Sequence, residues 1–184
     1  MIKFTRFFAS LIFVTILMSL SSCFNDDEPN SEKYKEWRIQ NEEYVAEATA
    51  MVNNDGTPYY MKFVPSWAPQ TFVLIHWHND RAQTIQNLSP MDNSTTQIKY
   101  ELYNVDGVKL SDSYSNADSI YTSRPSQNII GMWAALTNMH IGDSVTMVIP
   151  SNAAYGEVAH GNIPPYSTLV YNVKLKAITA YEVP

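Results

Sequence analysis

The stretch Val145–Tyr171, VTMVIPSNAAYGEVAHGNIPPYSTLVY, decides how the rest of the chain is read. Val145, Met147 and Ile149 alternate with their neighbours, and Leu169, Tyr171, Val173 and Leu175 continue the same pattern further on. A period of two marks half-buried strands rather than a helix. Pro150 stops the first strand. The long loop that follows carries Tyr155-Gly156 and, after Ile163, Pro164-Pro165. A loop held by a strand at each end is where binding groups concentrate.

The flanking segments repeat this logic. Ile98, Tyr100 and Leu102 share one face of a strand, and Asn104-Val105-Asp106-Gly107 supplies a hairpin turn. Residues 129–143, IIGMWAALTNMHIGD, place Met132, Leu136 and Met139 at spacings of four and three, one face of a short helix. Residues 113–128 read as a polar loop with a weak edge strand around Ile120-Tyr121. Thr71–His78, TFVLIHWH, alternates again and puts His76 and His78 on one strand face. Such a pair is an acceptable start for a metal site, but no third ligand is fixed and no metal is assigned.

The blocks IPSNAAYG (149–156), IPPYSTLVYNVKL (163–175), IIGMWAALTNMHIGD (129–143) and YELYNVDG (100–107) resemble the FKBP family of peptidyl-prolyl cis-trans isomerases, in the family's order. The resemblance covers roughly residues 67–180. It implies an α+β fold, an FKBP-like twisted antiparallel β-sheet wrapping a short α-helix, preceded by an N-terminal helix. It also implies a cofactor-free rotamase acting on proline-containing polypeptides and open to macrolide inhibitors of FKBP type.

By the same resemblance, the Ile129 backbone N–H and the Tyr155 hydroxyl would be the catalytic donors. Tyr100, Leu110, Met132, Ile163 and Tyr171 would form the walls and floor of the substrate bowl. Met132 is preferred to Trp133 as the floor because it keeps Gly131 and the Leu/Met face aligned. Tyr121 is the candidate for a second aromatic wall. Where the family usually has Phe-Asp, this chain has Leu110-Ser111-Asp112. The aspartate is therefore either lost to Ser111 or displaced to Asp112, and either residue could accept from Tyr100. That departure keeps a second reading open, a catalytically inactive peptide- or protein-binding module.

At 184 residues, 45% hydrophobic and 16% charged, the chain has the make-up of one globular domain with extras. A net charge of −6, with no Lys/Arg cluster beyond the extreme N-terminus, argues against a nucleic-acid partner. Lys3 and Arg6 precede the apolar run Phe7–Leu20, and Leu20-Ser21-Ser22-Cys23 resembles a bacterial lipobox. The expected division is a lipoprotein signal peptide over 1–22, an acidic tether over 23–30, an N-terminal helix and connector over 31–66, and the FKBP-like domain over 67–184. Cys23, the only cysteine, would carry the lipid and hold the protein on a membrane without a spanning helix. Asn25-Asp26-Asp27-Glu28 resembles a surface-export signal, so the expected location is the bacterial outer membrane, on its periplasmic or cell-surface face.

The N-terminal helix is expected to start at a Ser31 cap and to show Tyr34, Trp37, Tyr44, Ala48 and Met51 as a stripe interrupted by Asn41. It either dimerises or docks on its own domain. With so few heptads, docking is the expected outcome.

Overall fold

The computed structural model describes residues 29–181. Two helical segments come first, α1 (Asn30–Lys33) and α2 (Lys35–Ala50). Strands β1 (Met61–Phe63), β2 (Val73–Trp77), β3 (Thr95–Tyr103), β4 (Lys109–Asp112) and β5 (Tyr121–Ser123) follow. Helix α3 (Ile130–Leu136), β6 (Ser144–Ile149) and β7 (Leu169–Ala180) complete the chain. The strands form one antiparallel sheet in the order β1-β2-β6-β7-β3-β4, with β5 paired to β3. This is the expected α+β architecture.

Alternation on the central strands sorts the sheet into two faces. Val73, Ile75, Val145, Met147, Ile149, Leu169, Val173 and Leu175 point to one side and are at most 2% exposed. Helix α3 lies across them, burying Met132, Ala135 and Leu136, with Met139 beyond its end. Gly131 makes this approach possible, because a Cβ there would overlap Ile149 Cγ2. Buried aliphatic side chains of this kind are each worth ~1.5–3 kcal/mol, so this face is the main driving force of the fold.

The opposite face receives α2, although not in the way its apolar stripe suggests. Ala48 meets Leu74 and Val148, with Tyr44 and Val45 packed alongside. Asn41, expected to interrupt the stripe, is the most buried residue of the helix at 1% exposed, while Met51 is exposed. Its side-chain oxygen accepts the Thr168 N–H at 2.6 Å, and its amide donates to the Trp37 carbonyl at 2.7 Å. An asparagine with both ends satisfied can replace an apolar contact without a desolvation penalty. The helix therefore docks on its own domain.

Three further points differ from expectation. Pro29, not Ser31, caps the first helical turn, and the helix breaks at Tyr34 before α2 begins. Met61–Phe63, assigned from sequence to the connector, pairs with Val73–Ile75 as an edge strand of the sheet. A three-residue strand shows too little alternation to be read in advance. The polar stretch after β4 does hold a short strand, β5, whose Tyr121 pairs with Ile98. The signal peptide, Cys23 and the acidic run Asn25–Glu28 lie outside the described residues. Among the described residues no helix is long and apolar enough to cross a membrane.

Candidate active site

Between β6 and β7 the chain makes the long loop read from the sequence, and local bonds fix its shape. His160 and Ile163 exchange both backbone hydrogen bonds, at 2.9 and 3.0 Å. The Tyr166 N–H donates to the Gly156 carbonyl at 2.7 Å. Gly156 (φ +63°) supplies a left-handed turn directly after Tyr155, a conformation that costs glycine little. Tyr166 adopts φ +62° without that freedom, held by its 7% exposure and by Arg38 of α2, 5.7 Å from its ring centre.

The loop, α3 and the β3–β4–β5 edge enclose a bowl of about 600 Å³. Met132 forms its floor at 3% exposed, and Leu110 and Ile163 add apolar wall. Trp133, one position on, faces away. It stacks on Trp67 at 4.0 Å and donates its indole N–H to Asp92 at 2.6 Å. Four tyrosines complete the lining: Tyr100, Tyr121, Tyr155 and Tyr171. Tyr100 meets Tyr121 edge-on at 5.5 Å and Tyr171 at 5.8 Å, while Tyr155 stacks flat on His160 at 4.1 Å.

The ambiguity after β3 resolves in favour of Ser111. Its Oγ lies 3.1 Å from the Tyr100 hydroxyl and lines the bowl. Asp112, expected among the catalytic residues, does not. Its carboxylate accepts from the Ser115 N–H at 3.0 Å and the Ser115 hydroxyl at 3.1 Å, and lies 3.4 Å from the Lys109 ammonium. Asp112 caps the turn that leaves β4, a usual task for an aspartate with a free N–H two or three residues on. It is therefore removed from the site.

Every other residue picked from the sequence, Tyr155, Ile129, Tyr100, Leu110, Ser111, Met132, Ile163 and Tyr171, borders the same bowl. Among the described residues, nothing accepts from the Ile129 N–H or bonds to the hydroxyls of Tyr121, Tyr155 and Tyr171. Burial, then the nearby Tyr121 and Tyr100, raise the Tyr155 pKa above the ordinary tyrosine value. Burial also raises that of Tyr171, which is 9% exposed, with Tyr155, Tyr100 and Tyr121 adding to it. Both hydroxyls therefore stay protonated and available as donors at neutral pH.

Sequence reasoning missed Ile98 and Leu102, although their shared face with Tyr100 was legible. It also missed the rim residues Gln127, Asn128, Gly161 and Asn162, whose polar side chains or lack of one gave no signal. Among the described residues no group of three or more His, Cys, Asp or Glu side chains is placed to hold a metal ion. What the bowl offers is a largely aromatic and aliphatic floor and wall with N–H and O–H donors at its edge that have no partner among the described residues. That arrangement suits binding an uncharged peptide segment and stabilising a carbonyl oxygen, not nucleophilic or acid–base chemistry.

A sheet wrapped on one short helix, with such a bowl, defines an α+β domain, and comparison with known proteins gives its class. Residues 86–176 match the model of the FKBP-type peptidyl-prolyl cis-trans isomerase family, and over those residues the chain belongs to that family. The FKBP-type peptidyl-prolyl cis-trans isomerase FkpA of Escherichia coli K12 is 33% identical over 87 residues, 47% of this chain and 32% of that protein. FK506-binding protein 2 of Debaryomyces hansenii is 35% identical over 79 residues, 42% of this chain and 58% of that one. The matched region thus spans about a third of the length of FkpA. Two crystal structures share the fold. A peptidyl-prolyl cis-trans isomerase of Pseudomonas syringae pv. tomato superposes with a TM-score of 0.62 at 22% identity, covering 83% of this chain and 97% of that one. FkpA of Escherichia coli gives 0.58 at 24% identity, covering 83% and 61%.

Proposed function

We propose that the protein catalyses cis-trans isomerisation of X-Pro bonds in polypeptides. The observation that carries this reading is the free Ile129 N–H and the free Tyr155 hydroxyl bordering one apolar bowl. Rotation about an amide bond faces a barrier of ~18–20 kcal/mol because it breaks C–N resonance. The two end states differ by only ~0.5–1 kcal/mol for X-Pro, so the catalyst has only to lower the barrier. In this reading the proline ring enters the bowl over Met132, between Tyr100, Leu110 and Tyr171. The desolvated wall disfavours the charge-separated planar amide relative to the twisted one. Ile129 N–H and Tyr155 O–H donate to carbonyl oxygens in the twisted geometry, which is binding expressed mainly in the transition state. No cofactor takes part.

The physiological targets in this reading are envelope or exported proteins, with the chain held to the bacterial outer membrane through a lipid on Cys23. The support is the Leu20-Ser21-Ser22-Cys23 run behind a short apolar segment. Cys23→Ala is expected to release the protein from the membrane fraction of cells, and retention would count against the lipid anchor. One observation favours the second reading, a peptide-binding module without turnover: the residue bonded to Tyr100 is the neutral hydroxyl of Ser111 rather than a carboxylate.

Exchange NMR on short X-Pro peptides separates the two readings. Faster cis-trans exchange than in buffer, suppressed by an FKBP-type macrolide, is the expected result. Peptide-induced shifts in the bowl without faster exchange would establish the binding module instead.

A further inference from the structure

On the face of the sheet opposite the bowl, His76 of β2 and His78, just past the end of that strand, stand side by side, ring centres 5.1 Å apart and planes at 74°. Each ring is held by one hydrogen bond, and each bond fixes a tautomer. His76 Nδ1 lies 2.9 Å from the Tyr59 carbonyl oxygen, which can only accept, so Nδ1 carries the proton and Nε2 a free lone pair. The His76 ring also stacks on Tyr59 at 3.8 Å, which restricts its rotation. His78 Nε2 lies 2.8 Å from Thr146 Oγ1. That hydroxyl spends its own proton on Asn172 Oδ1 at 2.7 Å, so it accepts from His78. His78 is therefore protonated on Nε2 and free on Nδ1.

Both imidazoles thus have one nitrogen anchored to a carbonyl or a chain of polar groups and the other unprotonated and unbonded. This is the arrangement that surrounds metal-ligating histidines, whose second nitrogen is fixed by an outer partner. The spacing allows a shared ion: an ion ~2.0–2.1 Å from a ring nitrogen sits a little over ~3 Å from the ring centre, so ring centres 5.1 Å apart are within reach of one ion. We propose that His76 and His78 form a two-imidazole site for a borderline divalent cation of the nickel, copper and zinc group. Nitrogen donors select these ions over magnesium or calcium. With no third protein ligand among the described residues, water or a donor from another molecule fills the remaining positions.

The tautomers are testable without any mutation. Long-range proton–nitrogen correlation spectra of the metal-free protein should show His76 protonated on Nδ1 and His78 on Nε2, and the reverse assignment for either ring overturns the site. Calorimetric titration with zinc chloride, and separately with copper(II), should give one ion per chain, copper binding more tightly. His76→Ala and His78→Ala should each weaken zinc binding by about tenfold or more, and Thr146→Val, which removes only an outer partner, by about tenfold. Absence of binding, or binding that survives in both histidine variants while their melting curves match the parent, overturns the proposal.

Discussion

The Asn41 side-chain oxygen accepts the Thr168 N–H at 2.6 Å, joining the N-terminal helix to the loop that carries Tyr155. Trp37 donates to the Ser167 hydroxyl at 3.1 Å and Arg38 covers Tyr166, so three consecutive loop residues are gripped by one helix. The helix thereby acts on the bowl from the far side of the sheet. Thr168 is 2% exposed, so Asn41→Ala leaves its N–H without water or protein. The expected cost is about 1–3 kcal/mol of stability by chemical denaturation. Amide exchange should rise more in residues 150–168 than in β3. Equal changes in both would mean that the helix stabilises the domain as a whole and does not hold the loop.

Among the described residues the Tyr155 hydroxyl has no partner, so its removal leaves none of them unsatisfied. Tyr155→Phe should keep the melting temperature and lower kcat/KM for X-Pro exchange about three- to tenfold, the worth of one neutral hydrogen bond of ~1 kcal/mol. An unchanged rate would assign the isomerisation to the bowl wall and Ile129 alone.

Ser111 and Asp112 are adjacent in sequence and opposite in role. Ser111→Ala frees the Tyr100 hydroxyl and should weaken peptide affinity by a few-fold, consistent with the ~0.5–1.5 kcal/mol of a neutral bond. Asp112→Asn, which touches only Ser115 and Lys109, should leave affinity and turnover unchanged. A larger loss from Asp112→Asn than from Ser111→Ala would restore the aspartate to the site.

This pair also shows where sequence reading stops. The strands were legible because alternation at Val145–Ile149 and Leu169–Leu175 reports burial directly. Met132 was picked through the family resemblance, in the register that keeps Gly131 and the Leu136/Met139 face aligned, and it lines the bowl. Which of Ser111 and Asp112 meets Tyr100 depends on the register shift between Leu102 and Tyr103, where the ladder is irregular, and no residue pattern announces such a bulge. Asn41 was misjudged for a related reason. A side chain whose two hydrogen-bonding ends are both satisfied internally looks like a polar interruption until its partner, 127 residues away, is in place.

Gly131 tests the packing of α3. Replacing a helical glycine by alanine ordinarily gains ~1 kcal/mol in helix propensity. Here the added methyl overlaps the side chain of Ile149, itself fully buried. Overpacking of this kind costs about 1–3 kcal/mol, so Gly131→Ala should be net destabilising. Gly131→Ala combined with Ile149→Ala, which removes the overlapping γ carbons, should cost less than the sum of the two single substitutions, and strict additivity would place the strain elsewhere.

Asp143 sets the acid limit of stability. It is fully buried, and burial alone would raise its pKa. Four donors outweigh that: Thr84 Oγ1 at 2.5 Å, the His140 N–H at 2.9 Å, Asn79 Nδ2 at 3.0 Å and Trp77 Nε1 at 3.1 Å. The net shift is downward from the ordinary aspartate value. A folded pKa below the unfolded one means that the unfolded chain binds more protons as pH falls through that range. The stabilisation is therefore complete above pH ~5 and is lost progressively below ~4. Asp143→Asn should be less stable than the parent at neutral pH, because an amide cannot accept all four bonds. The gap between the two should narrow as pH falls from ~5 toward ~2, measured by urea denaturation at each pH. A gap independent of pH over that interval would show that the carboxylate's charge contributes nothing and that only its shape is used.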